Sequence, residues 1–564
     1  MRFSPSRLLH ICFLFWFIIL CYVISYWLFL PEFNSFQEYS SFILNLFETG
    51  YQLDGLTTHF LEESNYILLT ENLNIIRFSV LSFAVSIILY YKWINNKFNT
   101  QNRLKLDLKP FASSFFISFL LIWIGLKVAL YFYLPLHVDE VFDFVFYSKN
   151  DLITRHTYQF TDGRQWYNNH IFYCDVSNFF HTIGFGDKLS IRLPSILAEL
   201  VLLSTVYYSV RNSSFTKKCI TLAFLALSFW SGIYSVQGRS YMMVACFTFC
   251  SFLTIRSYIY TPNKSKFLLL LLFSLLGFAS LKIYTVSFFG LMLYALIISR
   301  KDFFQLHFHH LILLVILGTA FFYMPVVLIG GLENAYTTTI VSDAFLTEDL
   351  LETFSFITNV NTKAYLFLPV YLLFFVLIRK QLNSFTLDSF YFLIILIGSY
   401  LLFSFIAHDY LPFRSIVFIN QFFCFSLALS VSDLTTKFRK QDIVISLSIL
   451  LFAANTYYNY QFSWVKNYNR YVLGKELYTE LDQSLKLIEE ANPKRIVLKE
   501  QDFFFHFYHL YRNNNPEIFF FIENEADYKP EKGDVFFIQT SANEDKFQKL
   551  HTNITLDTKV IWVD

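Results

Sequence analysis

Charge is what this chain has least of. Only 15% of its 564 residues are Asp, Glu, Lys or Arg, where a soluble globular protein carries roughly a quarter, so an ordinary water-soluble protein is excluded. The space is taken by hydrophobic residues, 55% of the chain, with aromatics alone at 21%. The two signs almost cancel, 44 Lys and Arg against 43 Asp and Glu, which leaves no global field to attract nucleic acid or an anionic surface. Cysteine is scarce as well. Six of the seven (Cys12, Cys21, Cys219, Cys246, Cys250 and Cys424) lie in apolar runs and Cys174 stands alone in a polar segment, so neither a disulfide framework nor a CxxC metal site is available. A Gly-rich phosphate loop, a Walker motif and a Rossmann fingerprint are all missing, which sets aside soluble nucleotide-sugar chemistry. HExxH and DxD spacings are absent too, so no metal ligand set is assigned; no required cofactor is expected, and a divalent cation is left open without support. No internal repeat, heptad pattern or low-complexity tract is present.

What is present is a series of apolar runs long enough to cross a hydrocarbon core about 30 Å thick. Residues 8–31 contain no charged side chain. The apolar region of a cleaved signal peptide is shorter, roughly 7–15 residues, so this first run reads as a retained span. Further spans are expected at about 75–92, 112–135, 193–210, 219–237, 241–256, 267–282, 284–299, 311–330, 364–378, 389–407, 414–432 and 441–458, thirteen in all. Basic residues orient them. Arg2 and Arg7, the Lys97–Lys109 segment, Arg211/Lys217/Lys218, Arg256/Lys264/Lys266, Arg300/Lys301, Arg379/Lys380 and Lys437/Arg439/Lys440 recur on one side. The loop 31–74 on the other side has no Lys or Arg but carries Glu32, Glu38, Glu48, Asp54, Glu62, Glu63 and Glu71. The N-terminus is therefore expected in the cytoplasm and the C-terminus outside.

The expected fold is a polytopic α-helical membrane protein of about thirteen transmembrane helices with a small extracytoplasmic α/β domain at its C-terminus. Residues 1–111 form two N-terminal spans around the outer loop 31–74, 112–458 form the core with its outer loop 136–191, and 459–564 form the α/β domain. In that domain β-like runs fall at 495–499, 518–523, 534–540 and 559–564, with a polar helical pattern over 474–491.

The sharpest chemical feature lies where the third span ends. There His137-Val138-Asp139-Glu140-Val141-Phe142-Asp143 puts three carboxylates at a bilayer exit. Acidic residues also cap and charge-balance the first turn of a helix, and that reading remains open at this point. The following loop adds Arg155, His156, Asp162, Arg164, Asn168, Asn169, His170, Asp175, His181, Asp187 and Arg192, more polar variety than a connector needs.

These residues resemble the GT-C glycosyltransferases, in particular the branch of the protein O-mannosyltransferases and the lipid A aminoarabinose transferase. The resemblance rests on five motifs in order: Asp139-Glu140, then Asn168-Asn169-His170, Arg192-Leu193-Pro194-Ser195, Gly238-Arg239-Ser240-Tyr241 and Pro412-Phe413-Arg414. It covers roughly 112–458. The first two spans depart from the simplest pattern, in which the acidic pair follows the first span of the protein.

The resemblance implies a GT-C-like core in a bacterial cytoplasmic (inner) membrane, with an extracytoplasmic active site. It further implies an inverting transfer of a sugar from a polyprenyl-phosphate donor to an acceptor hydroxyl of a lipid, glycan or protein. Asp139 would be the base and Glu140 its catalytic neighbour. Arg192, Arg239, Lys282 and Arg414 would hold the donor phosphate, and Asn169, His170 and Tyr241 would contact substrate. An O-antigen-type polymerase or ligase would share many spans, one large loop and essential arginines, without needing an acidic pair at a span exit. A transporter or scaffold is the non-enzymatic alternative. Transporters place ionisable or broken segments at the bilayer midplane and show repeated halves, whereas the charges singled out here stand at helix ends.

Overall fold

A computed structural model describes residues 21, 24–46, 63–97, 113–134, 136, 140, 143–149, 152–157, 159–161, 165–167, 170–330, 357–358, 367–407, 413–436, 440–462, 495–499, 519–522, 534–539, 551–555 and 558–562. The opening of the first span, Asp139, Asn168, Asn169 and most of the loop 332–363 lie outside the described residues.

Helix is the dominant element, as the long apolar runs dictate. α1 (Phe36–Leu46) and the long α2 (Glu63–Lys97) precede α3 (Ser114–Tyr133). A π-helical turn (Phe144–Ser148), α4 (Leu152–Thr157), the antiparallel ribbon of β1 (Gln159–Thr161) and β2 (Gln165–Tyr167), and α5 (Ile171–Thr182) then lead to α6 (Asp187–Val210). The chain continues through α7 (Phe215–Ala226), α8 (Phe229–Tyr234), α9 (Tyr241–Tyr260), α10 (Lys264–Ser280), α11 (Tyr284–Ser299) and α12 (Phe308–Gly330). It closes with α13 (Phe367–Ile378), α14 (Ser384–Ala407), α15 (Val417–Thr435) and α16 (Gln441–Phe462). Among the described residues, seven helices are long and apolar enough to cross a membrane: α3, α6, α9, α15 and most of α2, α12 and α14. α11 is apolar but shorter. The protein is a multi-pass helical membrane protein.

Two expected spans differ in detail. The second begins well before residue 75, because α2 is continuous from Glu63, so Glu63 and Glu71 belong to a helix rather than to a loop. Arg77, within its apolar stretch, is neutralised by Glu32 at 2.7 Å and donates to the Leu30 carbonyl at 2.6 Å, which lets the helix run through a charged position. The run 219–237 is two helices, α7 and α8, broken at Leu227-Ser228. A break among buried helices must have its freed backbone groups satisfied by protein. Thr456 of α16 donates its hydroxyl to the Leu227 carbonyl at 2.7 Å, and the Ser228 hydroxyl donates to Asn420 Oδ1 at 3.0 Å. Asn420 in turn donates to the carbonyl of Ile357 at 2.8 Å.

The high phenylalanine content builds the interhelical seams. Phe249 stacks on Phe422 at 3.9 Å between centroids, Phe252 on Phe392 at 4.7 Å, Phe116 on Tyr207 at 4.3 Å and Phe224 on Phe452 at 4.4 Å. Each joins helices remote in sequence, and such pairs add about 0.5–1.5 kcal/mol beyond area burial. Toward the C-terminus, β3 (Arg495–Lys499), β4 (Phe519–Ile522), β5 (Asp534–Gln539), β6 (His551–Thr555) and β7 (Thr558–Trp562) form one mixed sheet in the order β4-β3-β5-β7-β6. β3 lies parallel to both β4 and β5, and β7 is antiparallel to β5 and β6. β6 was not expected: His551-Thr552-Asn553-Ile554-Thr555 has almost no apolar alternation, and its strand form follows from pairing with β7. The expected helices of this region lie outside the described residues.

Candidate active site

α3 ends where α6 and α9 begin, so the motifs that follow or open those helices meet at one end of the bundle. Glu140 is 1% exposed and lies at their centre. Arg192, in the second turn of α6, grips it through Nε and a terminal nitrogen, both at 3.2 Å. The other terminal nitrogen of Arg192 donates to the carbonyls of Tyr131 and Leu134 at 3.1 and 2.9 Å. These are carbonyls at the C-terminus of α3, which lack helical partners and favour a cation. The backbone N–H of Gly238 also donates to Glu140 Oε1, at 2.5 Å. Position 238 admits only glycine: a Cβ there would stand 2.2 Å from Ile191 Cγ2, 2.6 Å from the Tyr173 hydroxyl and 2.8 Å from the Ile191 carbonyl oxygen.

A second buried pair lies beside the first. Asp143, one helical turn after Glu140, accepts from Arg239 Nη1. The carbonyl of Arg239 accepts from Ser195 Oγ at 2.7 Å. The RLPS-like and GRSY motifs are thereby bonded to each other as well as to the acidic run. His170 caps the start of α5 and bonds through Nδ1 to the Ser240 hydroxyl. Its ring meets the ring of Tyr241 edge-on at 5.6 Å. Tyr173 donates to the Ile191 carbonyl. The phenols of Tyr147 and Tyr173 are pushed well above their ordinary range, first by burial and then by the neighbouring carboxylates, Asp143 for Tyr147 and Glu140 foremost for Tyr173; both therefore stay protonated hydrogen-bond donors.

The loop is locked from within by a third group. Asp175 on α5 accepts from Arg155 Nε at 2.8 Å and contacts His156 Nε2 at 3.1 Å, both on α4. Burial alone would raise the Asp175 carboxyl, but attraction to His156 and Arg155 and their hydrogen bonds outweigh it and hold the carboxyl below its usual value. Trp27 of the first span packs edge-on against His156, 6.4 Å between ring centres.

Of the residues singled out from sequence, Glu140, Arg192, Arg239, His170 and Tyr241 are brought together. Lys282 is exposed on the tight connection between α10 and α11, and α10 packs on α5. Arg414 belongs to a 3-10 turn, Phe413–Ile416, that leads into α15 and packs on α9; its side chain lies outside the description, as do Asp139 and Asn169.

Sequence reasoning did not single out Asp143 as a partner, although its spacing of three from Glu140 puts both on one helical face. It also missed a buried pair inside the spans. Lys127 of α3 and Glu199 of α6 stand 2.7 Å apart with side chains 3% and 1% exposed. The expectation that the informative charges all stand at helix ends is corrected by this pair. A single Lys or Glu in an apolar run gives no sign of its partner until two helices are packed.

No protein-family model matches the chain, and no curated protein matches it in sequence. Among solved structures it is similar to the crystal structure of ArnT from Cupriavidus metallidurans in the apo state, at 11% identity and a TM-score of 0.48. The likeness covers 79% of this chain and 98% of that one.

Proposed function

We propose that the protein is an inverting glycosyltransferase of the GT-C type. It moves a sugar from a polyprenyl-phosphate donor to an acceptor hydroxyl at the extracytoplasmic face of a bacterial inner membrane. The observation that carries this reading is the convergence of the acidic run after α3, the Arg192 motif and the Arg239 motif into one bonded cluster, with 52 residues separating Glu140 from Arg192 and 98 separating it from Gly238. A helix end at the membrane boundary is where a lipid-linked donor, which cannot leave the bilayer, can meet a polar acceptor.

In this mechanism Asp139 takes the proton of the acceptor hydroxyl as its oxygen attacks the anomeric carbon. The bond from that carbon to the phosphate oxygen breaks on the opposite face, and polyprenyl phosphate departs with the electron pair. Glu140 and Arg192 act as a clamp that fixes the chain carrying Asp139, because their donors and acceptors already serve each other. Arg239, with 11% of its side chain exposed against 1% for Arg192, is the better placed of the two to meet the phosphate, with Lys282 and Arg414 as further cations. His170, Asn169 and Tyr241 contact substrate, and the C-terminal domain handles the acceptor.

One observation favours a transporter instead. The Lys127–Glu199 pair joins two membrane-spanning helices, α3 and α6, away from their ends, as transporters arrange their sites. The test is transfer from a panel of radiolabelled polyprenyl-phosphate sugars in membranes carrying wild type or Asp139→Asn, with expression and folding checked in both. Labelled product from wild type alone supports the transferase with Asp139 as base. Equal product from both assigns Asp139 to helix capping. Uptake of label into sealed vesicles without product would favour the transporter.

A further inference from the structure

Glu199 is surrounded by donors. Lys127 Nζ stands 2.7 Å from Oε2, Trp123 Nε1 donates to the same oxygen at 3.0 Å, and the Ser231 hydroxyl donates to Oε1 at 2.6 Å. Lys127 also donates to Ser235 Oγ at 2.7 Å. A buried ion pair is weak evidence of stability, since apolar residues of the same volume often do as well, and ionisable groups within a span are costly enough that they usually serve a purpose. The mechanism above uses none of these residues.

The segments they join are informative. Glu140 is held by three pieces of chain: the end of α3, whose Tyr131 and Leu134 carbonyls orient Arg192, then Arg192 itself on α6, and the turn after α8 that carries Gly238. The same three pieces meet again at the deeper pair, as Lys127 and Trp123 of α3, Glu199 of α6, and Ser231 and Ser235 of α8 and its turn. Along α3, Lys127 lies one turn before Tyr131 and two before Leu134. Along α6, Glu199 lies two turns after Arg192, about 10 Å at 1.5 Å per residue. The two ion pairs therefore follow one another along α6, and α3 touches both, through the Lys127 side chain at one and the Tyr131 and Leu134 carbonyls at the other.

We infer that Lys127 and Glu199 are positioning residues for the site: their pairing, tied to Ser235, sets the register of α3, α6 and the 235–240 turn, and so determines where Arg192 and the Gly238 N–H meet Glu140. A slip of α6 by one residue would rotate Arg192 and Glu199 by about 100° and break both pairs together, and a slip of α3 would break the Lys127 pair and displace the carbonyls that orient Arg192. The chemistry asked of this network is to hold the clamp, with no contact to substrate. The link to catalysis rests on the transferase reading, while the link to the clamp does not.

The experiment is a double-mutant cycle on purified full-length protein in nanodiscs. Lys127→Met/Glu199→Gln removes both charges while keeping an acceptor oxygen for Trp123, and the Ser231 hydroxyl can turn to accept from the new amide NH2. Glu140→Gln is then introduced into wild type and into this background, and thermal midpoints are measured. Sites this far apart without shared partners normally add. Expected here is coupling, with the Glu140→Gln penalty cut by more than half in the charge-free background. Full additivity overturns the inference. If the charge-free variant fails to fold, Ser235→Ala, which leaves the ion pair intact and cuts its tie to the turn together with a longer bond to the Gly232 carbonyl at 3.4 Å, takes its place under the same criterion.

An activity arm separates positioning from plain stability. With the labelled donor found above, the charge-free variant should lose about tenfold in kcat while KM for the donor stays within about twofold. Equal kcat, or a loss confined to KM, overturns the positioning role. Coupling in the midpoints with no transfer by wild type would leave the register device standing and sink the glycosyltransferase reading.

Discussion

Removing Arg192 should cost more than removing the charge of its partner, and the difference follows from who is left behind. Arg192→Met leaves Glu140, 1% exposed, without the guanidinium that balances its charge, while the Gly238 N–H still donates to it. It also deprives the Tyr131 and Leu134 carbonyls of their shared donor. Breaking a buried ion pair from one side costs about 3–5 kcal/mol, and two carbonyls losing a partner add roughly 1 kcal/mol each, so Arg192→Met belongs at or above the top of that range. Glu140→Gln keeps an oxygen for the Gly238 N–H and leaves Arg192 with its two carbonyl acceptors, which places it near the bottom, about 3 kcal/mol. In the double variant neither charge of this pair remains, and its loss should be smaller than the sum of the two by at least about 1–2 kcal/mol. The assay is the thermal midpoint of the three proteins in nanodiscs, supported by the yield of folded protein. A double variant equal to or worse than the sum, or an Arg192→Met protein within about 1 kcal/mol of wild type, would refute the clamp.

Two further expectations test the surroundings. Gly238→Ala should destabilise by about 1–3 kcal/mol or more, the cost of overpacking, because the added carbon would meet a backbone oxygen at 2.8 Å; a midpoint equal to that of wild type would contradict it. The Asp175 carboxyl titrates below its ordinary value when folded, so its contribution is complete above the ordinary carboxylate range and drains away as pH falls below about 4. The midpoint of wild type should accordingly drop in that acid window more steeply than that of Asp175→Asn, and parallel curves would show that the Arg155–His156–Asp175 group does not stabilise the loop.

Much of the site was legible because its residues break local rules. A carboxylate run at the end of a 20-residue apolar helix, and an arginine just inside another, are expensive where they stand, and each cost points to a partner. That is why Glu140, Arg192 and Arg239 stood out before their contacts were known, whereas His170 and Tyr241 were named through the resemblance their motifs carry. Asp143 was passed over because three carboxylates in five residues look like one feature, although only the helical spacing of two of them meets arginines. Lys127 and Glu199 were illegible for a different reason: each lies alone in a strongly apolar run, and a span tolerates one charge without announcing whether it faces lipid, water or a partner.

The sequence by itself determined the solvent this protein lives in. Scarce charge and long apolar runs admit no fold but membrane-crossing helices, because a backbone in hydrocarbon must satisfy its own hydrogen bonds. It also determined which residues are chemically conspicuous. Only the tertiary structure decided how they pair, that one apolar run is broken at Ser228 with Thr456 closing the gap, and that α6 carries one partner of each of two buried ion pairs while α3 touches both. Those outcomes depend on helix rotation and depth, which interhelical packing sets, and hydrophobic runs rich in one residue type carry too little periodicity to specify either one.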